Sequence, residues 1–181
     1  LLAGDLVLAR TLKALLAVPE IGRIVVVIHP DDHALHALAL SGIDDARVMA
    51  PVHGGASRQA SVRAGLEALA ARPPDIVLVH DGVRCFLDIA LARRVVAGLA
   101  PGVDGAIPAL PVTDTIKQAL GERLGATIDR SALRAVQTPQ GFRFADLLAR
   151  HRAAAGRDDL TDDAALYEPD GVLVAVLGDA G

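Results

Sequence analysis

The residues of this chain with the clearest chemical potential are Asp81 and Arg84, which follow a short apolar run. That run, residues 76–79 (IVLV), lies between a proline pair and Gly82. Continuous runs of β-branched residues and leucine are typical of strands buried on both faces of a parallel sheet. Ligands of open α/β sheets bind outside the carboxyl ends of the strands. The pattern therefore predicts a carboxylate and a guanidinium at a functional site, although a charged surface turn fits the same residues.

Several polar side chains could serve such a site. A carboxylate at a strand end suits Mg²⁺ that arrives with a phosphate ligand, because this ion often uses only one or two protein carboxylates. Arginines bind phosphate oxygens through two parallel hydrogen bonds, so Arg84 and Arg130 are candidate phosphate ligands. Lys117 could bind phosphate too, but a lone lysine is more typical of a solvated surface. Three threonines could donate hydroxyl hydrogen bonds, although each alone is typical of a turn or cap: Thr115, Thr138 and Thr161. No residue is assigned as a dedicated metal ligand, since the six histidines show no ligand spacing.

A second candidate is the glycine pair Gly54-Gly55, which precedes a predicted helix with Ser57 and Ser61 near its start. Glycines let the backbone approach a phosphate closely, and the N–H groups at a helix start attract anions. The segment matches neither the P-loop nor the dinucleotide-binding pattern. A simple turn with Ser57 as the helix N-cap explains it equally well.

Strand-like and helix-like segments alternate along the first 110 residues, which predicts an α/β fold with a mostly parallel sheet and helices on both faces. Residues 112–130 then alternate polar and apolar residues around two glycines, which predicts an arm or hairpin that leaves the sheet. Residues 138–141 are predicted as a tight connection, and Thr161 as a helix N-cap. Strands are predicted at 23–29, 47–50, 76–79, 105–110 and 172–177, and helices at 6–17, 32–40, 88–99, 144–155 and from about Ser57.

Composition excludes several classes of function. Of the 181 residues, 52% are hydrophobic, but only three are Phe, one is Tyr and none is Trp, so aromatic stacking on bases or flavins is not expected. The net charge of −4, without a basic block, predicts no nucleic-acid partner and no membrane-surface partner. No apolar run reaches the length of a membrane span. The single cysteine, Cys85, fits a cytoplasmic protein.

Several segments together resemble one family, the 2-C-methyl-D-erythritol 4-phosphate cytidylyltransferases of the non-mevalonate isoprenoid pathway. Each segment is a weak signal alone, but their order and spacing match the family over essentially the whole chain. The version here is most similar to the bifunctional bacterial enzymes, in which a cyclodiphosphate synthase domain follows. The segments are GGASRQASVRAGL (54–66), VHDGVR (79–84), PALPVTDTIK (108–117), DR (129–130), QTPQ (137–140) and TDDA (161–164).

The resemblance implies a single Rossmann-like nucleotidyltransferase domain over residues 1–181 that transfers a cytidylyl group from CTP, with Mg²⁺ carried by the nucleotide. It implies a homodimer in which the arm reaches the partner's site, with Asp81 and Arg130 as catalytic residues. The nucleotide site would comprise Gly54, Gly55, Ala56, Ser61, Asp81 and Gly82. The methylerythritol phosphate site would comprise Arg84, Thr115, Arg130, Thr138 and Thr161.

The family also implies segments outside the given sequence. A glycine-rich loop with cations for the triphosphate is expected before Leu1, and a further lysine is expected after Gly181. Two alternatives stay open at this point. One is a cytidylyltransferase for another polyol phosphate, such as ribitol 5-phosphate. The other is a non-catalytic nucleotide-binding or dimerisation module.

Overall fold

A computed structural model describes residues 2, 4–157 and 159–179 of the chain, so Leu1 and Gly181, the ends of the predicted domain, lie outside the described residues. The helices are α1 (Val7–Leu16), α2 (His33–Ala39), α3 (Arg58–Leu69), α4 (Ile89–Gly98) and α5 (Phe144–Ala153), with 3₁₀ turns at Pro30–Asp32 and Ala164–Tyr167. No helix in this part of the chain is long and apolar enough to span a membrane. The strands are β1 (Val27–Ile28), β2 (Val52–His53), β3 (Ile76–Val79), β4 (Gly105–Pro111), β5 (Ile116–Leu120), β6 (Arg123–Ile128), β7 (Arg134–Val136), β8 (Gln140–Arg143) and β9 (Leu173–Leu177).

The main sheet places β8 between β3 and β4, antiparallel to both, while β9 pairs with β4 in parallel. The predicted α/β class is confirmed, but β8 is an antiparallel strand where the sequence pattern predicted a tight connection. Its glycine explains the difference. A Cβ on Gly141 would lie 2.5 Å from Val95 Cγ1 of α4, so only glycine lets this strand lie directly beneath that helix.

Apolar side chains on the two faces of the sheet pack against different helices. On one face Val77 of β3 joins Leu66 of α3 and Leu147 of α5. On the other face Leu78 packs against a cluster that contains Val95 of α4. Successive residues of a strand point to opposite faces, so the run at 76–79 fills both halves of the core. The prediction of helices on both faces is thus confirmed.

Strand β1 belongs to a separate, two-stranded parallel sheet with β2. The predicted strand at 23–29 is regular only at its end, with one further bridge between Ile24 and Val48. A cavity of about 670 Å³ separates β1 from β3, and its lining includes Val27, Leu12 and Val79. Among the described strands, the two sheets therefore flank this cavity without pairing across it.

Strands β5 and β6 form a hairpin within the segment predicted to leave the sheet. The turn contains Gly121 at φ +64°, a left-handed conformation that glycine adopts without strain. The hairpin forms a sheet of its own and exposes large apolar side chains, among them Leu120 (61% exposed) and Leu124 (77%). An isolated two-stranded hairpin is only marginally stable in water. Large exposed apolar side chains on such a hairpin are unusual unless another element covers them.

Candidate functional site

The end of β3 is held together by hydrogen bonds among residues that the sequence predicted for the site. The Arg84 Nε donates to Asp81 Oδ2 at 2.9 Å, and the backbone N–H of Asp81 donates to Thr138 Oγ1 at 3.2 Å. Both charged side chains remain partly exposed, 38% for Asp81 and 46% for Arg84. The strand end therefore presents an ion pair whose remaining donor and acceptor positions can reach a ligand.

His80 organises this strand end. Its Nε2 lies 2.9 Å from the carbonyl oxygen of Arg84, and its Nδ1 lies 3.0 Å from Thr138 Oγ1. A carbonyl can only accept, so Nε2 carries the proton, and in the neutral ring Nδ1 accepts from the Thr138 hydroxyl. The Thr138 hydroxyl is thus used in holding His80 and Asp81, and its predicted contact with substrate stays a prediction. His80 therefore bonds within the body of the fold.

Burial lowers the pKa of His80 below its usual value of 6.5, despite opposing contributions from the Arg84 carbonyl and the Asp81 charge. The unfolded chain therefore takes up this proton first as pH falls, and the free energy of unfolding decreases below about pH 6.5, by at most about 1.4 kcal/mol per pH unit. We expect His80→Gln to flatten this part of the stability curve, measured by urea unfolding from pH 5 to 8. Subtracting the variant's stability curve from that of wild type removes the effect of His36, whose pKa is also lowered by burial. Stability curves of the same shape for the two proteins would contradict the contribution assigned to His80.

The glycine pair forms a closed loop against the first turn of α3. Ser57 caps the helix by accepting from the N–H of Ala60 at 3.1 Å, which confirms the N-cap interpretation. Ser61 Oγ accepts from the N–H of Gly55 at 3.1 Å and donates to the Ser57 carbonyl at 2.9 Å. Gly55 and Ser61, two of the predicted nucleotide residues, are thus hydrogen-bonded to each other.

Gly55 has no room for a side chain, because a Cβ there would lie 2.5 Å from the Ala60 Cβ. The resemblance assigns this loop to CTP, and on that assignment we expect Gly55→Ala to displace the loop and weaken CTP binding about tenfold, or about 1.4 kcal/mol, as measured by isothermal titration calorimetry. Gly22→Ala is the matched control, since its Cβ would meet no atom within 4 Å. Unchanged CTP affinity in the Gly55 variant would remove this loop from the nucleotide site.

The same cavity reaches both groups of predicted residues. Its lining includes Ser61 from the glycine loop together with Asp81 and Gly82 from the end of β3. Gly54, Gly55 and Ala56 are not among the described residues that line it, and most of the lining consists of aliphatic side chains of α1, β1, α3 and β3. Among the described strands β1 and β3 do not pair with each other, so this volume is a gap between two strand edges and is not evidence of a ligand pocket. Ser61, Asp81 and Gly82, which the resemblance assigns to one nucleotide site, border the same gap.

The predicted residues of the arm lie apart from this cavity. Thr115 and Arg130 are exposed, and neither is among the described residues that line it. An Nη1 of Arg130 donates to the carbonyl of Thr113, which ties together the two ends of the hairpin stem. Lys117 bonds to Thr127 within the hairpin, 2.9 Å away, in agreement with its interpretation as a surface residue. Among the described residues, Thr115 and Arg130 make no hydrogen bond to Asp81, Arg84 or Thr138 within one chain.

Thr161 lies on an exposed loop, and its predicted role as a helix N-cap is wrong. The following 3₁₀ turn has Asp163 at its N-cap position without a side-chain cap bond. Asp162 instead accepts from the N–H of Ala165 at 3.0 Å and from Gln140 Nε2 at 3.0 Å. Asp162 therefore anchors this loop to β8.

Sequence reasoning missed two contacts at the edges of the site. Thr11, buried on α1, donates to the carbonyl of Gly82 at 2.7 Å and so fixes the turn after β3. His53, directly before the glycine pair, lies with its Nε2 2.6 Å from that of His33 on α2. Neither pair has a local sequence signal, because each joins elements that meet only in the folded chain.

Asp81 suits a magnesium ion carried by a nucleotide. Among the described residues only its Oδ2 is engaged, by Arg84, which leaves the other oxygen available. The same part of the chain contains no group of three or more His, Cys, Asp or Glu side chains arranged to hold a metal ion. A single carboxylate fits an ion whose other ligands are phosphate oxygens and water.

Comparison with known proteins places these features in a family. The family model for IspD, 2-C-methyl-D-erythritol 4-phosphate cytidylyltransferase, matches residues 1–180. The bifunctional enzyme IspD/IspF of Paramagnetospirillum magneticum is 46% identical over 179 residues, which are 99% of this chain and 45% of that protein. The bifunctional enzyme IspD/IspF of Nitrobacter hamburgensis is 50% identical over 184 residues, with 99% and 44% covered. The chain thus spans a little under half the length of these curated relatives.

Solved structures agree with the sequence match. The 4-diphosphocytidyl-2C-methyl-D-erythritol synthase of Anaerococcus prevotii superimposes with a TM-score of 0.84 at 30% identity, covering 98% of this chain and 78% of that one. The 2-C-methyl-D-erythritol 4-phosphate cytidylyltransferase of Thermus thermophilus gives a TM-score of 0.78 at 33% identity, covering 98% and 81%. The fold and the sequence segments therefore indicate the same group of enzymes.

Proposed function

Because the chain belongs to the family of 2-C-methyl-D-erythritol 4-phosphate cytidylyltransferases, we propose that it transfers a cytidylyl group from CTP to methylerythritol phosphate. The products are 4-diphosphocytidyl-2-C-methyl-D-erythritol and pyrophosphate. The observation that carries the proposal is the strand end, where Arg84 pairs with Asp81 at 2.9 Å and the Asp81 N–H donates to Thr138, while both charged side chains stay partly exposed. Ser61 of the glycine loop borders the same gap between β1 and β3 as Asp81 and Gly82, which supports a nucleotide held beside this strand end.

The reaction is an in-line attack by a phosphate oxygen of methylerythritol phosphate on the α-phosphorus of CTP. A new P–O bond forms as the bond from the α-phosphorus to its bridging oxygen breaks, and pyrophosphate leaves with that electron pair. The attacking phosphate is already ionised at neutral pH, so no strong general base is needed. Positioning two anions and neutralising their charge supply most of the rate.

In this proposal the glycine loop, residues 54–56 with Ser61, binds the nucleotide. Asp81 lies between the two substrates and orients Arg84 through their ion pair at 2.9 Å. The free donors of Arg84 hold the attacking phosphate, with Thr138 and Thr161 at its polyol side. Mg²⁺ held by Asp81 and the triphosphate would supply charge neutralisation when bound.

We include a homodimer in the proposal, in which Thr115 and Arg130 serve the partner's site. The exposed Leu120 and Leu124 on the hairpin support a covered position for the arm. Among the described residues, the lack of a hydrogen bond from Thr115 or Arg130 to the strand end within one chain supports a role in trans.

Two broader features also belong to the proposal. The bifunctional relatives, of which this chain matches a little under half, support a fused cyclodiphosphate synthase domain in the whole protein. The single cysteine supports a cytoplasmic location. The proposed reaction does not depend on the fused domain or on the cytoplasmic location.

The test is pyrophosphate release from CTP with Mg²⁺, using the protein expressed from its complete reading frame. We expect release with 2-C-methyl-D-erythritol 4-phosphate and little with ribitol 5-phosphate. Release with ribitol 5-phosphate alone would keep the nucleotide and change the second substrate. If neither supports release, CTP binding by calorimetry decides whether the chain is a non-catalytic nucleotide-binding module.

A further inference from the structure

A charge cluster with a buried carboxylate and a partly exposed arginine lies between the glycine loop and the loop that carries Thr161. Asp163, only 1% exposed, accepts from Arg58 Nη2 at 2.7 Å through Oδ2. Its Oδ1 accepts from Nε2 of His151, which is also 1% exposed, at 2.9 Å. Three elements meet at one carboxylate: the first turn of α3, the last turns of α5 and the loop after α5.

The cluster keeps Asp163 ionised. Burial acts to raise the pKa of this carboxyl, but the hydrogen bond from His151 and the charge of Arg58 outweigh it and hold the pKa below its usual range. Buried ion pairs are weak contributors to stability, because desolvation offsets most of their attraction. A gain in stability therefore does not explain why this charge is buried, whereas a fixed geometry between the three elements does.

One end of the cluster leads to the glycine loop, and the other leads to the strand end. Arg58 follows the Ser57 N-cap directly, and Ser57 bonds to Ser61, which closes the glycine loop. On the other side, Asp163 follows Asp162, which accepts from Gln140 of β8 at 3.0 Å. Gln140 pairs with Val79, the residue before His80, so this loop is tied to the strand end as well.

We propose that Asp163 is a positioning residue that, through Arg58, fixes the glycine loop relative to the 161–163 loop. The inference rests on the proposed function and adds to it. The nucleotide is bound on the side of Arg58, and the second substrate is bound on the side of Thr161. The Arg58–Asp163 bond, which joins residues 105 positions apart, sets the distance between them.

The closing experiment compares Arg58→Gln, Asp163→Asn and the double variant, with turnover expressed per CTP-binding site from calorimetric stoichiometry. We expect each single variant to lose about tenfold in kcat with KM changes below about threefold, because misplacement affects the reacting geometry more than either binding step. The turnover of the double variant should be no lower than that of the slower single variant, because both substitutions remove the same interaction. Arg58→Lys, which keeps the charge, should recover most of the turnover.

Arg152→Gln is the matched control, because Arg152 also joins α5 to α3, through a salt bridge with Glu67 at 2.6 Å, but on the exposed surface. Surface pairs contribute little, so its turnover should stay within about twofold of wild type. Lower melting temperature with unchanged turnover per site in Arg58→Gln would reduce the cluster to a structural role and overturn the proposal. A loss of CTP affinity equal to the loss of kcat would overturn it too, since Arg58 would then act on the nucleotide directly.

Amide hydrogen exchange separates this inference from the proposed function. We expect Arg58→Gln to increase exchange in both the 55–61 and the 161–165 segments, whichever substrate the enzyme uses. Exchange that changes only next to residue 58 would overturn the positioning role even in an active enzyme. If the wild-type protein shows no turnover while Arg58→Gln still increases exchange in both segments, the proposed function is refuted and the positioning role stands.

Discussion

Replacing Asp81 with alanine, in the protein expressed from its complete reading frame, is expected to lower kcat for pyrophosphate release about a hundredfold. The KM for CTP should change less than about threefold, because the glycine loop supplies most of the nucleotide contacts in our proposal. Two losses combine in this variant. The Arg84 guanidinium loses the carboxylate that orients it at 2.9 Å, and the proposed magnesium ion loses its protein ligand.

Asp81→Asn separates these two losses. The amide oxygen of asparagine can still accept from Arg84 Nε but carries no charge, so a variant with nearly full activity would limit Asp81 to orienting Arg84. Asp44→Ala is the control, because Asp44 is an exposed aspartate away from β3. Unchanged kcat in Asp81→Ala, measured at saturating concentrations of both substrates, would remove Asp81 from the reacting centre.

The features that the sequence predicted correctly depend on neighbours along the chain. The apolar run at 76–79 forms β3, and Ser57 caps α3 three residues from its bonding partner. The hairpin follows from alternating residues on either side of Gly121. In each case the side chains that decide the local conformation lie within a few residues, so one stretch of sequence holds the relevant information.

The features that the sequence missed depend on contacts between distant segments. Strand β8 exists because Gly141 fits beneath Val95 of α4, and the sequence around Gly141 alone is equally typical of a turn. The acidic pair after Thr161 has the composition of a helix start, but its carboxylates bind Gln140 and Arg58 instead. Tertiary hydrogen bonds of this kind override local capping preferences and leave no periodic signal.

The candidate site divides in the same way between local and long-range information. The sequence indicated the residue types of the strand end and the glycine loop, and the fold shows that Ser61, Asp81 and Gly82 border one gap. The hydrogen bonds from Thr138 to His80 and to the backbone of Asp81 join residues more than 50 positions apart, so only the folded chain reveals them. The predicted contact of Thr138 with substrate stays a prediction.

Replacing Arg130 with alanine is expected to lower kcat/KM for methylerythritol phosphate roughly 10- to 100-fold, the range for loss of a charge-assisted hydrogen bond to phosphate. CTP affinity should stay nearly unchanged, because Arg130 bonds within the arm and the proposal assigns no nucleotide contact to it. Arg123→Ala is the matched control, since Arg123 lies on the same exposed hairpin. Equal weakening of both substrates would contradict the assigned role.

Mixing the two impaired variants tests whether the arm acts in trans. If Arg130 serves the partner's site, a dimer of one Asp81→Ala chain and one Arg130→Ala chain contains one site with both residues intact and one site lacking both. Random association makes about half of the dimers mixed, so co-expression of the variants should restore about a quarter of wild-type activity. If the arm serves its own chain, each site of a mixed dimer lacks one residue and no activity returns. Restored activity would therefore establish together that the chain dimerises, that the arm crosses between protomers and that both residues act at one site.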